Sequence, residues 1–354
     1  MKYYILFIIL CCGNVHSSLY SDDEIAQFLK EHQTQSSPLV TSIFTDKQPL
    51  KTLNNWLISK KLNDLEKEFQ LYALLNQLAT TPPDNHFLPL LEKLSLHQSK
   101  TFKNHPEGKY HGHAPIELFN ISAKANGVLN IWSMKNAQSQ ASNIINNPSN
   151  VVEALEQLLN HKTGHIRPVQ LGIKNAFQVA TNNQLKHVKQ AFYRSPHIPS
   201  VLHTTLADLV VVSADIEFAT WALGSVNKQQ AERTYRLIAK EYPQQQSIDL
   251  LTRDIDSKAN PNFIVTLLTP HINQNKVADY LLDKLTKEST TEGAAYVLSK
   301  SNDPLLWKKM EQIHNTTTSE AVKSKIRLSF KHNQNEAAQF IFKRIEKMEA
   351  IHEF

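Results

Sequence analysis

The chain predicts an all-α protein: an α-solenoid of helical hairpins behind an irregular N-terminal helical segment. Three observations carry this. Glycine is scarce, 8 in 354 residues, and turn dipeptides are few, which argues against an all-β sandwich. Apolar residues recur at i, i+3, i+4 and i+7, the stripe of an amphipathic helix. In the C-terminal half, an apolar–polar pattern returns every 30 residues, the mark of stacked supersecondary units.

The N-terminal elements follow in order. Lys2 precedes an apolar run from Tyr3 to Cys12, and Val15-His16-Ser17 supplies a cleavage site after Ser17. Residues 1–17 therefore read as a secretory signal peptide, too short to span a bilayer as an anchor. The residues before Cys11 and Cys12 lack the small side chain that lipoprotein processing prefers, so lipidation is the weaker reading. Both cysteines fall in this leader. The mature chain is then cysteine-free and depends on a packed core rather than disulfides. The expected location is periplasmic or extracellular, with a bacterial envelope favoured by repeat type and residue bias.

Residues 18–104 read as the N-terminal helical segment. Ser21-Asp22-Asp23-Glu24 opens IAQFLKEH, and Pro49 opens a helix with Leu50, Leu53, Trp56 and Leu57 on one stripe. Asn63-Asp64 opens LEKEFQLYALLNQLA, and Asp84 opens HFLPLLEKLSLH. Asx and Pro stand where helices begin. A polar loop follows at 105–115. The repeat array is expected over 116–354, starting with one long helix at 114–134. LADLVVV has strand propensity, but its helical neighbours predict the most buried helix of the array. Trp56, Trp132, Trp221 and Trp307 lie among apolar residues at helical spacing and are expected in the core.

The repeat is most regular after residue 236. Segments 237–255, 267–285 and 327–345 align without a gap, and 297–313 has the same shape with a shorter loop. The anchors are Ile238, Leu268, Leu298 and Leu328. Second-helix triplets recur: Leu250, Leu251 and Ile255; Tyr280, Leu281 and Leu285; Phe340, Ile341 and Ile345. This half resembles the short bacterial HEAT-like repeats of the kind noted in phycobilisome lyases, closely over 200–350 and loosely over 116–200. The resemblance implies stacked hairpins and a curved binding surface, and it specifies a shape rather than an activity.

Two stretches could carry chemistry. HPEGKYHGH, residues 105–113, places His105, Glu107, His111 and His113 together. Imidazole and carboxylate are the right ligands for Zn²⁺. The plainer reading is an exposed loop, because Pro106, Gly108 and Gly112 break any periodicity. The second stretch, 157–207, contains no Asp or Glu but holds Lys162, Arg167, Lys174, Lys186, Lys189 and Arg194. These cations are the candidate contacts for an anionic partner. Aromatic interleaving is missing, so nucleic acid is not expected.

Enzyme signatures are absent: no His-Glu-x-x-His, no Gly-rich phosphate loop, no Gly-x-Ser-x-Gly and no cysteine nucleophile after the leader. The expected function is a non-enzymatic scaffold or adaptor, without cofactor, that binds a protein or an anionic envelope polymer. The competing expectation is a metal-dependent enzyme using loop 105–113. No apolar run after the leader approaches membrane-spanning length.

Overall fold

The computed structural model describes residues 18–32, 37–59, 61–105, 114–147, 150–160, 166–253, 257 and 259–352. The expected leader, 1–17, lies outside the described residues. Helix accounts for 76% of the described residues, in nineteen α-helices with short 3-10 turns, and strand is minor. The protein is all-α. None of the described helices is long and apolar enough to cross a membrane. The chain divides into two compact units, one reaching Ala137 and including Arg167–Gly172, the other made of Gln138–Ile166 and Ile173–Phe354.

The first unit holds α1 (Asp22–His32), α2 (Pro38–Thr45), α3 (Pro49–Leu57), α4 (Asp64–Thr80), α5 (Leu88–Ser95) and the start of α6 (Ile121–Asn146). Their starts are local. Asn63 and Glu66 close a reciprocal capping box at α4, which satisfies two otherwise orphaned amides. Pro38 and Pro49 begin α2 and α3, where a missing N–H costs nothing. The apolar stripes of α2–α6 meet in one core that includes Leu39, Leu53, Leu74, Leu91, Val128 and Trp132. The Trp132 indole Nε1 donates to the Leu78 carbonyl at 3.0 Å, a partner for an end-of-helix acceptor.

A small sheet was not foreseen. Strands β1 (Ser18–Tyr20), β2 (Thr101–Lys103) and β3 (Ile116–Glu117) lie in that order, β1 parallel and β3 antiparallel to β2. The expected helix at 114–134 therefore starts only at Ile121 and runs on to Asn146. Phe102 faces Glu117 in the ladder, and the Asn120 side chain accepts the Ala123 amide at 2.8 Å, which sets the helix start. Sheet and helix are joined by Glu68, a carboxylate 2% exposed. It accepts hydrogen bonds from the Lys100 amide at 2.7 Å, His97 Nε2 at 3.0 Å and the Thr101 hydroxyl. A buried carboxylate needs such donors to offset its lost hydration.

The second unit continues with α7 (Val151–Asn160), α8 (Ile166–Val179), α9 (Asn182–Arg194), α10 (His203–Ser213) and α11 (Ile216–Ser225). Four pairs follow: α12 (Lys228–Glu241) and α13 (Gln244–Leu251); α14 (Pro261–Thr266) and α15 (Asn275–Leu285); α16 (Thr291–Leu298) and α17 (Pro304–Thr316); α18 (Glu320–His332) and α19 (Glu336–His352). LADLVVV lies in α10, as expected, and every residue from Thr204 to Val211 is buried. Helices also touch the helix after next: α10, α12, α14, α16 and α18 form one chain of contacts, and α15, α17 and α19 form another.

The anchors Ile238, Leu268 and Leu298 are fully buried, but Leu328 is 39% exposed. Leu328 lies on the side of α18 that looks toward α16, on the wall of a cleft. Trp132 and Trp307 are buried as expected, while Trp56 and Trp221 are only half-buried. Trp221 packs against Phe218 and Tyr193 at centroid distances of 5.5 and 4.7 Å.

Contact between α14 and α16 depends on Gly293. A Cβ there would collide with the Asn262 carbonyl oxygen and lie 3.0 Å from its Cα. Its amide also donates to Asn262 Oδ1 at 2.7 Å. Gly293→Ala gains about 1 kcal/mol of helix propensity but meets backbone, where overpacking costs about 1–3 kcal/mol. The expected outcome is a net loss of stability in urea denaturation. Unchanged or raised stability would mean that α14 and α16 are not so closely held.

Candidate ligand-binding cleft

Two helical stripes face each other in the second unit. On α16 and the turn after it lie Glu292, Ala295, Tyr296, Ser299 and Lys300; on α18 lie Lys325, Leu328, Ser329 and His332. Both follow i, i+3, i+4, i+7 spacing, which puts each set on one face. Thr290 and Thr291 turn their hydroxyls to the carbonyls of Lys284 and Leu285 at 2.8 and 3.1 Å, anchoring the start of α16. Ser319 caps α18 by accepting the Val322 amide.

Small side chains close the bottom of the cleft. The Ser329 hydroxyl donates to the Ala295 carbonyl at 2.7 Å. Large side chains stand at the rim and leave a cleft of about 450 Å³. Tyr296, 53% exposed, and Leu328 supply its apolar part. Lys300 Nζ lies 5.3 Å from the Tyr296 ring centroid, close enough for a cation–π attraction. Lys325 Nζ lies 3.6 Å from a Glu292 carboxylate oxygen. A second cleft, about 650 Å³, lies between α17 and α19 and is lined by Trp307, Lys308, Phe340 and Arg344 among others. Arg344 Nε donates to Glu311 there at 2.9 Å.

The residues singled out by the sequence lie elsewhere. His105 follows β2; Glu107, His111 and His113 are outside the described residues, as is Lys162. Among the described residues, no group of three or more His, Cys, Asp or Glu side chains is arranged to hold a metal ion. Arg167 falls in the stretch of α8 that groups with the first unit. Lys186 and Arg194 are exposed on α9.

Lys174 and Lys189 face carboxylates from beyond the acid-free window. Lys174 Nζ lies 3.2 Å from Glu241 and 3.8 Å from Asp208, and Lys189 pairs with Asp215. The cleft residues Tyr296, Lys300, Lys325 and His332 were not singled out in the sequence. Their signal was there, as basic and apolar residues sharing one stripe. No protein-family model, curated protein or solved structure matches the chain.

The Lys174 cluster has a titration consequence. Burial pushes the Asp208 carboxyl above the usual carboxylate range, while Lys174 and Arg233 pull it back. Arg233 is held beside it by a 3.0 Å hydrogen bond to Thr204. Asp215 differs: burial raises it, but the bonds from Lys189 and the Phe218 amide outweigh that and leave it lowered.

A carboxyl that holds its proton more tightly when folded stabilises the fold fully below its unfolded pKa. That contribution is lost as pH rises through the folded value. Urea denaturation across this pH window should show the native chain losing stability relative to Asp208→Asn as pH rises. Parallel curves would mean that Asp208 ionises as an ordinary aspartate.

Proposed function

We propose that the chain is an exported scaffold, an α-solenoid of HEAT-like hairpins, that holds a protein partner in the clefts between successive hairpins. The observation that carries this is the cleft between α16 and α18, with a half-exposed tyrosine and a cationic rim. Exposed aromatics bordered by charge are favoured contact residues in protein interfaces. The solenoid reading is supported by contacts between each first helix and the next. It is also supported by paired helices at a period near 30 in the sequence. Export is supported by the leader-like residues 1–17. The exposed Lys186 and Arg194 on α9 favour an anionic surface nearby, which is compatible with an envelope partner.

Two measurements test the reading. In a repeat array each unit leans chiefly on its neighbours. A chain ending at Thr316, without α18 and α19, should keep a cooperative melt and lose only the helical signal of the removed residues. Collapse of the whole second unit would contradict the solenoid. A photo-crosslinking residue at position 296, installed in the cell of origin, should give one discrete protein adduct, and the same residue at exposed Ile58 should not. The same adducts at both positions, or none at 296, would remove the cleft as a partner site.

A further inference from the structure

We infer that the α16–α18 cleft takes an acidic peptide segment in which a carboxylate neighbours a bulky apolar side chain. This rests on the scaffold reading and names the chemistry of its partner. The cleft is polarised along its length. At one end Lys325 is answered by Glu292, whose side chain is 71% exposed. In the middle, Tyr296 and Leu328 present apolar surface, 53% and 39% exposed, above the close Ala295–Ser329 contact.

At the other end stand Lys300 and His332. Among the described residues, neither forms an ion pair with a carboxylate. Lys300 Nζ lies over the Tyr296 ring, so its charge is already positioned beside the apolar patch. His332 offers a hydrogen bond in either protonation state.

Two lysines against one carboxylate leave the cleft with positive charge, and complementarity selects an anion. The apolar middle narrows the choice further. A uniformly anionic polymer satisfies Lys300 but leaves Tyr296 and Leu328 without a partner. A basic peptide satisfies the apolar patch and is repelled by the lysines. A glutamate or aspartate beside a leucine-sized residue satisfies both at once. The volume, about 450 Å³, lies within the range of pockets that enclose small ligands and suits a short stretch of peptide.

The test is fluorescence anisotropy on the full chain with three labelled probes. These are a peptide of alternating leucine and glutamate, the same peptide with lysine for glutamate, and polyglutamate. The leucine–glutamate peptide should bind more tightly than the other two. Lys300→Glu and Tyr296→Ala should each weaken it about tenfold, the scale on which complementary charges and aromatic anchors act. Lys240→Glu, an equal charge change at an exposed position on α12, should leave it unchanged.

Equal binding of the lysine peptide overturns the charge assignment. Equal binding of polyglutamate, or no effect of Tyr296→Ala, overturns the apolar one and assigns the surface to an anionic polymer. Equal loss in Lys300→Glu and Lys240→Glu overturns the location. A discrete adduct at position 296 with no binding of the leucine–glutamate peptide overturns this inference alone and leaves the scaffold reading standing. Absence of both removes the scaffold reading as well.

Discussion

Close backbone approach between successive first helices is the constraint on which the C-terminal half of the second unit depends. At Gly293, helix α16 comes so near to Asn262 that no side chain fits, and the Asn262 amide group bridges the approach. The same side chain donates to the Ser289 carbonyl at 2.9 Å. At Ser329, α18 reaches the carbonyl of Ala295. Small residues therefore set the spacing, and large residues flanking them cannot close the gap above. The cleft is the geometric remainder of that mismatch. Packing dense enough to hold the helices and a groove open enough to admit a ligand come from one pattern of residue sizes.

In the first unit the matching role belongs to a charge. Glu68 projects from α4 and collects an amide, an imidazole and a hydroxyl from the segment 97–101. This holds β2 against the helix, and β2 in turn pairs with β1 and β3. Removing one partner of such a buried group costs more than the bond itself is worth, because the other is left without water or replacement. The sheet is short, and one side chain accounts for much of its attachment.

Helix starts were legible because capping is local. Pro49, Asn63 ahead of Asp64, and Asp84 each announce a helix within four residues. The three strands were not legible: two or three residues cannot display a period of two, so 114–120 read as an extension of the helix after it. The partners of Lys174 and Lys189 were invisible for a different reason. Asp208, Asp215 and Glu241 lie 26–67 residues away in sequence, and only packing returns them. Leu328 was visible as an anchor of the repeat. Its exposure follows from the cleft it lines with Tyr296, which a pattern of equal anchors does not encode. The cleft was half legible, since its stripes were countable and their facing one another was not.

The two clefts lie on different layers of the same hairpin pair, one between α16 and α18 and the other between α17 and α19. The Ala295–Ser329 contact closes the first at its base, and the Arg344–Glu311 pair spans the second. The joint between the two hairpins is therefore pinned on both layers, by a small-residue hydrogen bond on one and by an ion pair on the other.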